Sequence, residues 1–329
     1  MSSASAVKAV LKKGYDNVHW IDFLIWPMVY VAARLLGAVR WLGVERMPRS
    51  KKALMAAKTF PILSHYHEPA FEFSYLQKPL SQARDLPGLD LRVPEQLKLL
   101  AELRYGSELG DVPLRKRAEN EFYLKNGFFE GGEADLWYSL IRRFKPARIF
   151  EIGSGFSTLA AIRAIAANRR EDPAYRCRHV CIEPFEKPWL DGLDIELIRQ
   201  RVETMDPAFF EALSENDFLF VDSSHVIRPQ GDVLFEFQQI LPRLKKGVIA
   251  HFHDIYTPMD YPERWIVDEV KIWNEQYLLE VFLAGNRDGW NVLLASFFLF
   301  KTHPAEFQAA CPLLSPECEP GSMYIRKAF

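Results

Sequence analysis

Asp222-Ser223-Ser224-His225 and His251-Phe252-His253-Asp254 each close a strongly apolar run, and both mix carboxylates with imidazoles. Those groups suit two tasks. Carboxylate oxygens ligate hard divalent cations, and an imidazole with a pKa near ~6.5 accepts a proton at neutral pH. Asp222, His225 and His253 are therefore candidate catalytic residues, and Asp222 with Asp254 is a candidate metal pair. His251 alternates to the same strand face as His253. The plainer alternative, histidines that only hydrogen-bond at strand ends, stays open at this point.

A third run reads Glu151-Ile152-Gly153-Ser154-Gly155-Phe156-Ser157-Thr158. Two glycines let a backbone turn sharply and approach a ligand closely. A dinucleotide fingerprint would need a third glycine where this chain has Thr158, and no G-x-x-x-x-G-K-[ST] run is present. The next apolar run ends at Glu183, where a carboxylate can accept both ribose hydroxyls of an adenosine ligand. A solvated strand-end acid is the alternative.

These runs need elements that gather them. Strands are expected at 147–152, 179–183, 195–198, 217–222 and 247–252, with helices at 157–170, around 207–214 and at 233–244. Such alternation demands parallel strands with crossover helices on both faces. Residues 265–285 read as mostly helical and 290–300 as a late strand; upstream, helices are expected from Pro94 to near Gly106 and over 133–144. The fold class is α/β, a doubly wound and mostly parallel sheet behind a helical, loop-rich N-terminal extension. In open sheets of this kind ligands bind outside the carboxyl ends of the strands, which is where all three runs fall. Tyr256, Tyr261, Trp265 and Trp273 follow the last parallel strand and suit either stacking on an acceptor ring or core packing.

Composition sets the outer bounds. The 329 residues are 49% hydrophobic and 26% charged, which are globular proportions. Lys and Arg number 41 against 43 Asp and Glu, so no basic excess favours nucleic acid. Cys177, Cys181, Cys311 and Cys318 are too few for a disulfide scaffold and read as reduced thiols, in keeping with a cytoplasmic setting. The division expected is an apolar helical segment at 1–50, a loop-rich extension or lid at 51–130, a catalytic domain at 131–303 and a tail at 304–329. His65-Tyr66-His67-Glu68 in the extension suits a lid or a surface loop.

Residues 18–44 are the most apolar segment, but their longest uncharged run, Phe23 to Ala33, is eleven residues. A spanning helix needs about 20, so no span is expected. Lys8, Lys12 and Lys13 would serve as the basic start of a signal peptide, but Asp16 and Asp22 intervene. Trp20, Trp26 and Trp41 beside Arg34, Arg40, Arg46 and Arg49 suit a peripheral membrane contact. The other reading is a helix packed on its own domain or in a homodimer.

The blocks E-I-G-S-G-F-S-T, C-I-E-P, D-F-L-F-V-D-S-S-H and G-V-I-A-H-F-H-D-I resemble the class I methyltransferases that use S-adenosylmethionine (SAM). Within that superfamily they are similar to a bacterial branch with the same F-V-D-S-S-H and H-F-H-D-I blocks. The resemblance covers about 120–300, more loosely from 87, and leaves out the apolar N-terminus. It implies a seven-stranded Rossmann-like sheet with SAM over Gly153, Ser154, Gly155 and Ser157. Its ribose would lie on Glu183, its methionine amino group near Glu151 and its adenine near Gln200 to Glu203, with Asp222 also among the cofactor-binding residues. The paired strand ends resemble the metal-dependent O-methyltransferases of macrolide deoxysugars, in which an Asp-x-x-His supplies a magnesium ligand and the base. Asp222 and His225 match that pattern, Asp254 matches one of its acidic pair, and His253 replaces the other, although Mg2+ prefers oxygen ligands. The function implied is methyl transfer to an oxygen of a small-molecule or saccharide acceptor. A nicotinamide-dependent oxidoreductase, a metal hydrolase using His251, His253 and Asp254, and a non-catalytic scaffold are the rivals.

Overall fold

The computed structural model describes residues 18–64, 67–118, 120–185 and 187–329. One compact unit ends at Gln77 and the other runs Lys78–Phe329. The first contains α1 (Val18–Leu42) and α2 (Pro48–Ala56). Helix α1 runs unbroken past Pro27, and its residues 22–35 are exposed. Its last turns meet the chain that follows: Arg40 pairs with Glu68, its guanidinium lies over the Phe60 ring, and Gly37 faces Leu63. Glu68 thus has a partner inside this unit, while His65 and Tyr66 lie outside the described residues.

The second unit is the α/β body. Its helices α3 (Val93–Glu102), α4 (Glu133–Phe144) and α5 (Phe156–Glu171) accompany β1 (Arg148–Ile152), β2 (Arg178–Ile182) and β3 (Glu196–Ile198). Then come β4 (Phe218–Val221), α6 (Asp232–Phe235), β5 (Ile249–His253), α7 (Glu275–Gly285) and β6 (Trp290–Ala295). Helices α8 (Ser296–Thr302) and α9 (Pro304–Ala310) lead to β7 (Ser322–Lys327). The seven strands lie in the order β3-β2-β1-β4-β5-β7-β6. The first five pair in parallel, and β7 is antiparallel to both β5 and β6.

Strand side chains alternate between two cores, as a period of two requires. Ile149, Phe218, Phe220, Ile249 and Tyr324 pack with Leu136, Trp137 and Ile141 of α4. Phe150, Ile152, Leu219, Val221 and Phe252 pack on the other face with Phe210, Ile240 and Leu279. Trp137 is fully buried against Phe218 and Phe220, and truncating so large a core ring costs about 3–5 kcal/mol. Glu151, His251 and His253 share the first face. The order turns back between β1 and β4, and that switch point opens the ligand crevice.

Several expectations change. The unit is larger than 131–303: the residues read as a tail hold α9 and the strand β7 inside the sheet. The strand expected over 290–300 stops at Ala295. There Ser322 N donates to Ser296 Oγ at 2.7 Å, and that hydroxyl reaches Ser322 O at 2.9 Å, closing the ladder. The helix expected at 233–244 is α6 followed by a π turn at Glu236–Ile240 and a 3₁₀ turn at Leu241–Arg243, because Pro242 has no N–H to continue the ladder. Pro207–Ala212 is 3₁₀ rather than α. Of 265–285, only Glu275–Gly285 is α-helix, preceded by a π turn at Arg264–Asp268.

Candidate active site

The glycine turn forms where β1 must leave the sheet. Gly153 has φ of 81°, and a Cβ there would stand 2.0 Å from the carbonyl oxygen of Asp222, so glycine is required. Gly153 N donates to Ile182 O at 3.0 Å and Asp222 N to Ile152 O at 2.9 Å, which ties three strand ends together. Beside them opens a cavity of ≈ 770 Å³, lined by Gly153, Glu183, Phe185, residues 199–203 and Asp222–Ser224, with Ile152, Ile182 and Val202 as apolar walls.

Glu183 lies in this wall almost fully buried. Its Oε1 accepts from Phe185 N at 2.9 Å, and its Oε2 accepts from Lys187 Nζ at 2.8 Å. Lys187 also donates to Ser154 O at 2.6 Å, so one ammonium joins the acid to the glycine turn. Gln200 and Glu203 line the same cavity. Glu151 does not. Its carboxylate turns inward, accepting from Thr158 Oγ1 at 2.6 Å and lying 3.1 Å from His179 Nε2 and 3.3 Å from Cys181 Sγ. Ser154 and Ser157 are buried behind the turn, the latter's carbonyl accepting from Trp137 Nε1 at 3.2 Å, whereas the Cβ position of Gly155 faces open space. Thr158, standing where a third glycine was sought, also accepts from Gly155 N at 3.1 Å and so braces the turn.

A second cavity, ≈ 750 Å³, is lined by His225, His253, Asp254, Glu133, Trp265 and Trp273 among others, and it shares Asp222, Ser223 and Ser224 with the first. His225 and Asp254 adopt left-handed backbone, with φ of 59° and 56°, which turns both side chains out of their strand directions. His225 Nε2 lies 3.2 Å from Asp222 Oδ1 and 3.6 Å from Asp254 Oδ2, and its Nδ1 lies 2.8 Å from Glu275 Oε2. The Trp273 ring covers it, centroid to centroid 4.3 Å. His253 Nε2 lies 3.0 Å from Glu133 Oε2, and its Nδ1 3.4 Å from Asp254 Oδ1.

Carboxylates dominate the charge balance. Burial pulls the His225 imidazole down, but hydrogen bonds to Asp222 and Glu275 outweigh it and push the pKa up to about 10. His253 is likewise lowered by burial yet raised well above its ordinary value by Glu133, Asp254 and Asp222. Burial would raise the Asp222 carboxyl, but His253 and His225 hold it below the usual carboxylate range. His251 does not join them. It is stacked on Phe220 and met by a tilted Tyr324 ring, with centroids at 4.1 and 4.6 Å, both ring nitrogens lack hydrogen-bond partners, and burial with the nearby His253 lowers its pKa.

The donor atoms of Asp222, His225 and Asp254 lie within 4.8 Å of one another, close enough to share one cation. Glu151, His179 and Cys181 form a second such group, fully buried and already hydrogen-bonded. All four cysteines are free thiols. Sequence reading missed Glu133 and Glu275; the signal available was an acid in a helical first turn, next to a glycine in one case and after Trp273-Asn274 in the other. The aromatic residues divide: Tyr261 is core, whereas Tyr256, Trp265 and Trp273 line the second cavity.

Residues 150–255, spanning β1 to β5 and most of the strand ends just described, match the family model described as a methyltransferase domain. The matched stretch takes in the glycine turn, Glu183, Asp222, His225 and His253. An uncharacterized protein of Archaeoglobus fulgidus is 35% identical over 136 residues, covering 39% of this chain and 60% of that relative, so the chain spans less than two thirds of its length. Among solved structures the chain is similar to the O-methyltransferase from Bacillus cereus in complex with SAH, at 12% identity and a TM-score of 0.35, over 70% of this chain and 90% of that one. It is also similar to apo CalS11, a TDP-rhamnose 3'-O-methyltransferase of calicheamicin biosynthesis, at 16% identity and a TM-score of 0.34, over 74% and 99% of the two chains.

Proposed function

We propose that this chain transfers a methyl group from SAM to an oxygen of a small-molecule or saccharide acceptor. The observation that carries the reading is the meeting of two cavities at Asp222–Ser224, one beside the glycine turn and one beside the imidazoles. Each has the size of a cofactor or small-ligand pocket. Glu183 would hold the ribose, Gly153 would bring backbone close to it, and Gln200 to Glu203 would flank the adenine, all of them lining the first cavity. SAM supplies a methyl carbon that is already electrophilic.

The protein must then hold an acceptor oxygen roughly 3 Å from that carbon and take its proton. His225 Nε2 faces the shared wall, and Glu275 orients it through Nδ1. A base must be neutral, whereas three carboxylates keep this imidazole charged. A divalent cation held by Asp222 and Asp254 would screen two of them and lower the imidazole pKa. The two carboxylates fit such an ion, Mg2+ included. His253 is the alternative base.

Calorimetry with S-adenosylhomocysteine, beside NADH, is the direct test. Binding of the first with none of the second is expected, and Glu183→Ala should weaken it. Binding of NADH alone would overturn the reading.

A further inference from the structure

The exposed part of α1 is an apolar cylinder rather than an apolar stripe. Successive helical residues turn by about 100°, so Phe23 to Val31 cover every face. All nine are apolar in character and exposed, with Phe23 and Met28 each at 73%. A helix lying flat on a membrane needs a polar face for the water side, and this stretch has none. No part of the most apolar window of α1 is buried among the described residues.

We propose that α1 spans a lipid bilayer. Trp20–Leu42 is 23 residues long with mean hydropathy 1.5. Trp20 and Trp41 would stand about 32 Å apart along the axis, matching a hydrocarbon core of about 30 Å with an indole at each interface. Asp22 and Arg40 bracket the span. Arg34 is the one charge between them, near enough to the Arg40 end for its long stem to carry the guanidinium to the headgroups. Sequence reading stopped the apolar run at Ala33; the helix continues past it, through Leu35, Leu36, Ala38 and Val39. Pro27 does not break the helix.

Charge sets both the surface and the orientation. Arg46, Arg49, Lys51, Lys52 and Lys58 follow the span, against Lys8, Lys12 and Lys13 before it. Basic residues gather on the cytoplasmic side and complement its anionic lipid. The α/β unit is therefore tethered on the cytoplasmic face.

The test uses the full chain, mixed with vesicles of phosphatidylcholine and phosphatidylglycerol and floated after an alkaline carbonate wash. The protein should stay with the lipid. Val29→Lys combined with Val31→Lys should cut the floated fraction at least about tenfold, because each charge is costly at the centre of a span. Both positions are exposed, so the thermal melt of the α/β unit should be unchanged. Release by carbonate or salt, indicating a surface-bound helix, would overturn the proposal. So would a stable lipid-free dimer, meaning that a second copy covers α1. Recovery of the protein from bacterial membranes with α1 removed, as for a cleaved leader, would also overturn it. In inverted inner-membrane vesicles, added protease should digest the α/β unit; its protection would overturn the orientation.

Discussion

Glu275 Oε2 lies 2.8 Å from His225 Nδ1, and both side chains are almost completely buried. The pair joins the first turn of α7 to the loop after β4 and leaves Nε2 pointing at Asp222. In Glu275→Gln the orienting charge is gone, so maximal turnover should fall on the order of 10²-fold. The sign of the pH effect follows. Wild-type His225 stays charged up to about 10, so turnover without added cation should rise with pH toward that value, and the variant's limb should lie lower. Stability moves the other way. The folded pKa exceeds the ordinary 6.5, so the pair's contribution is complete below about 6.5 and fades as pH rises through 10. Rate profiles and melting temperatures across pH check both; identical profiles would remove Glu275 from this role.

Gly153→Ala meets two obstacles, the positive φ and the Asp222 carbonyl. The change should cost about 3 kcal/mol and abolish S-adenosylhomocysteine binding. Denaturant melts and calorimetry measure the two losses. A fully stable variant would mean that the turn relaxes freely.

Glu183→Ala removes a charged acceptor from the wall of the first cavity. Losing about 1.5–3 kcal/mol weakens S-adenosylhomocysteine by roughly 10- to 150-fold. Unchanged affinity by calorimetry would exclude the ribose role.

Asp254→Asn keeps the left-handed backbone, which asparagine tolerates, while deleting a carboxylate of the cation group. Cation-dependent turnover should need at least about tenfold more metal, with S-adenosylhomocysteine affinity nearly unchanged. If chelators leave wild-type turnover intact, the cation is dispensable and the histidine acts alone.

Legibility followed distance along the chain. The β1 turn, Glu183, Asp222 and His225 could be read because each sits at the end of an apolar run with its own local pattern. Glu133 and Glu275 could not, since their partners lie 120 and 50 residues away. Glu151 looked like a ligand-facing acid, yet His179, Cys181 and Thr158 claim its carboxylate, a contact that depends on β1 and β2 being neighbours. β7 was hidden for a related reason. Its six residues become a strand by insertion between β5 and β6, and only three-dimensional pairing reveals that.

That insertion has a consequence for synthesis. β5 leaves the ribosome well before its neighbour β7 and must wait with one row of amides and carbonyls unpaired. His253 pairs in register with Ser322, and Gly321 N holds Glu133, the acid that contacts His253. The imidazole pocket is thus set late in translation. A nascent chain stalled before Ser322 should be cut by dilute protease between β5 and β6, and should become resistant once Lys327 has emerged.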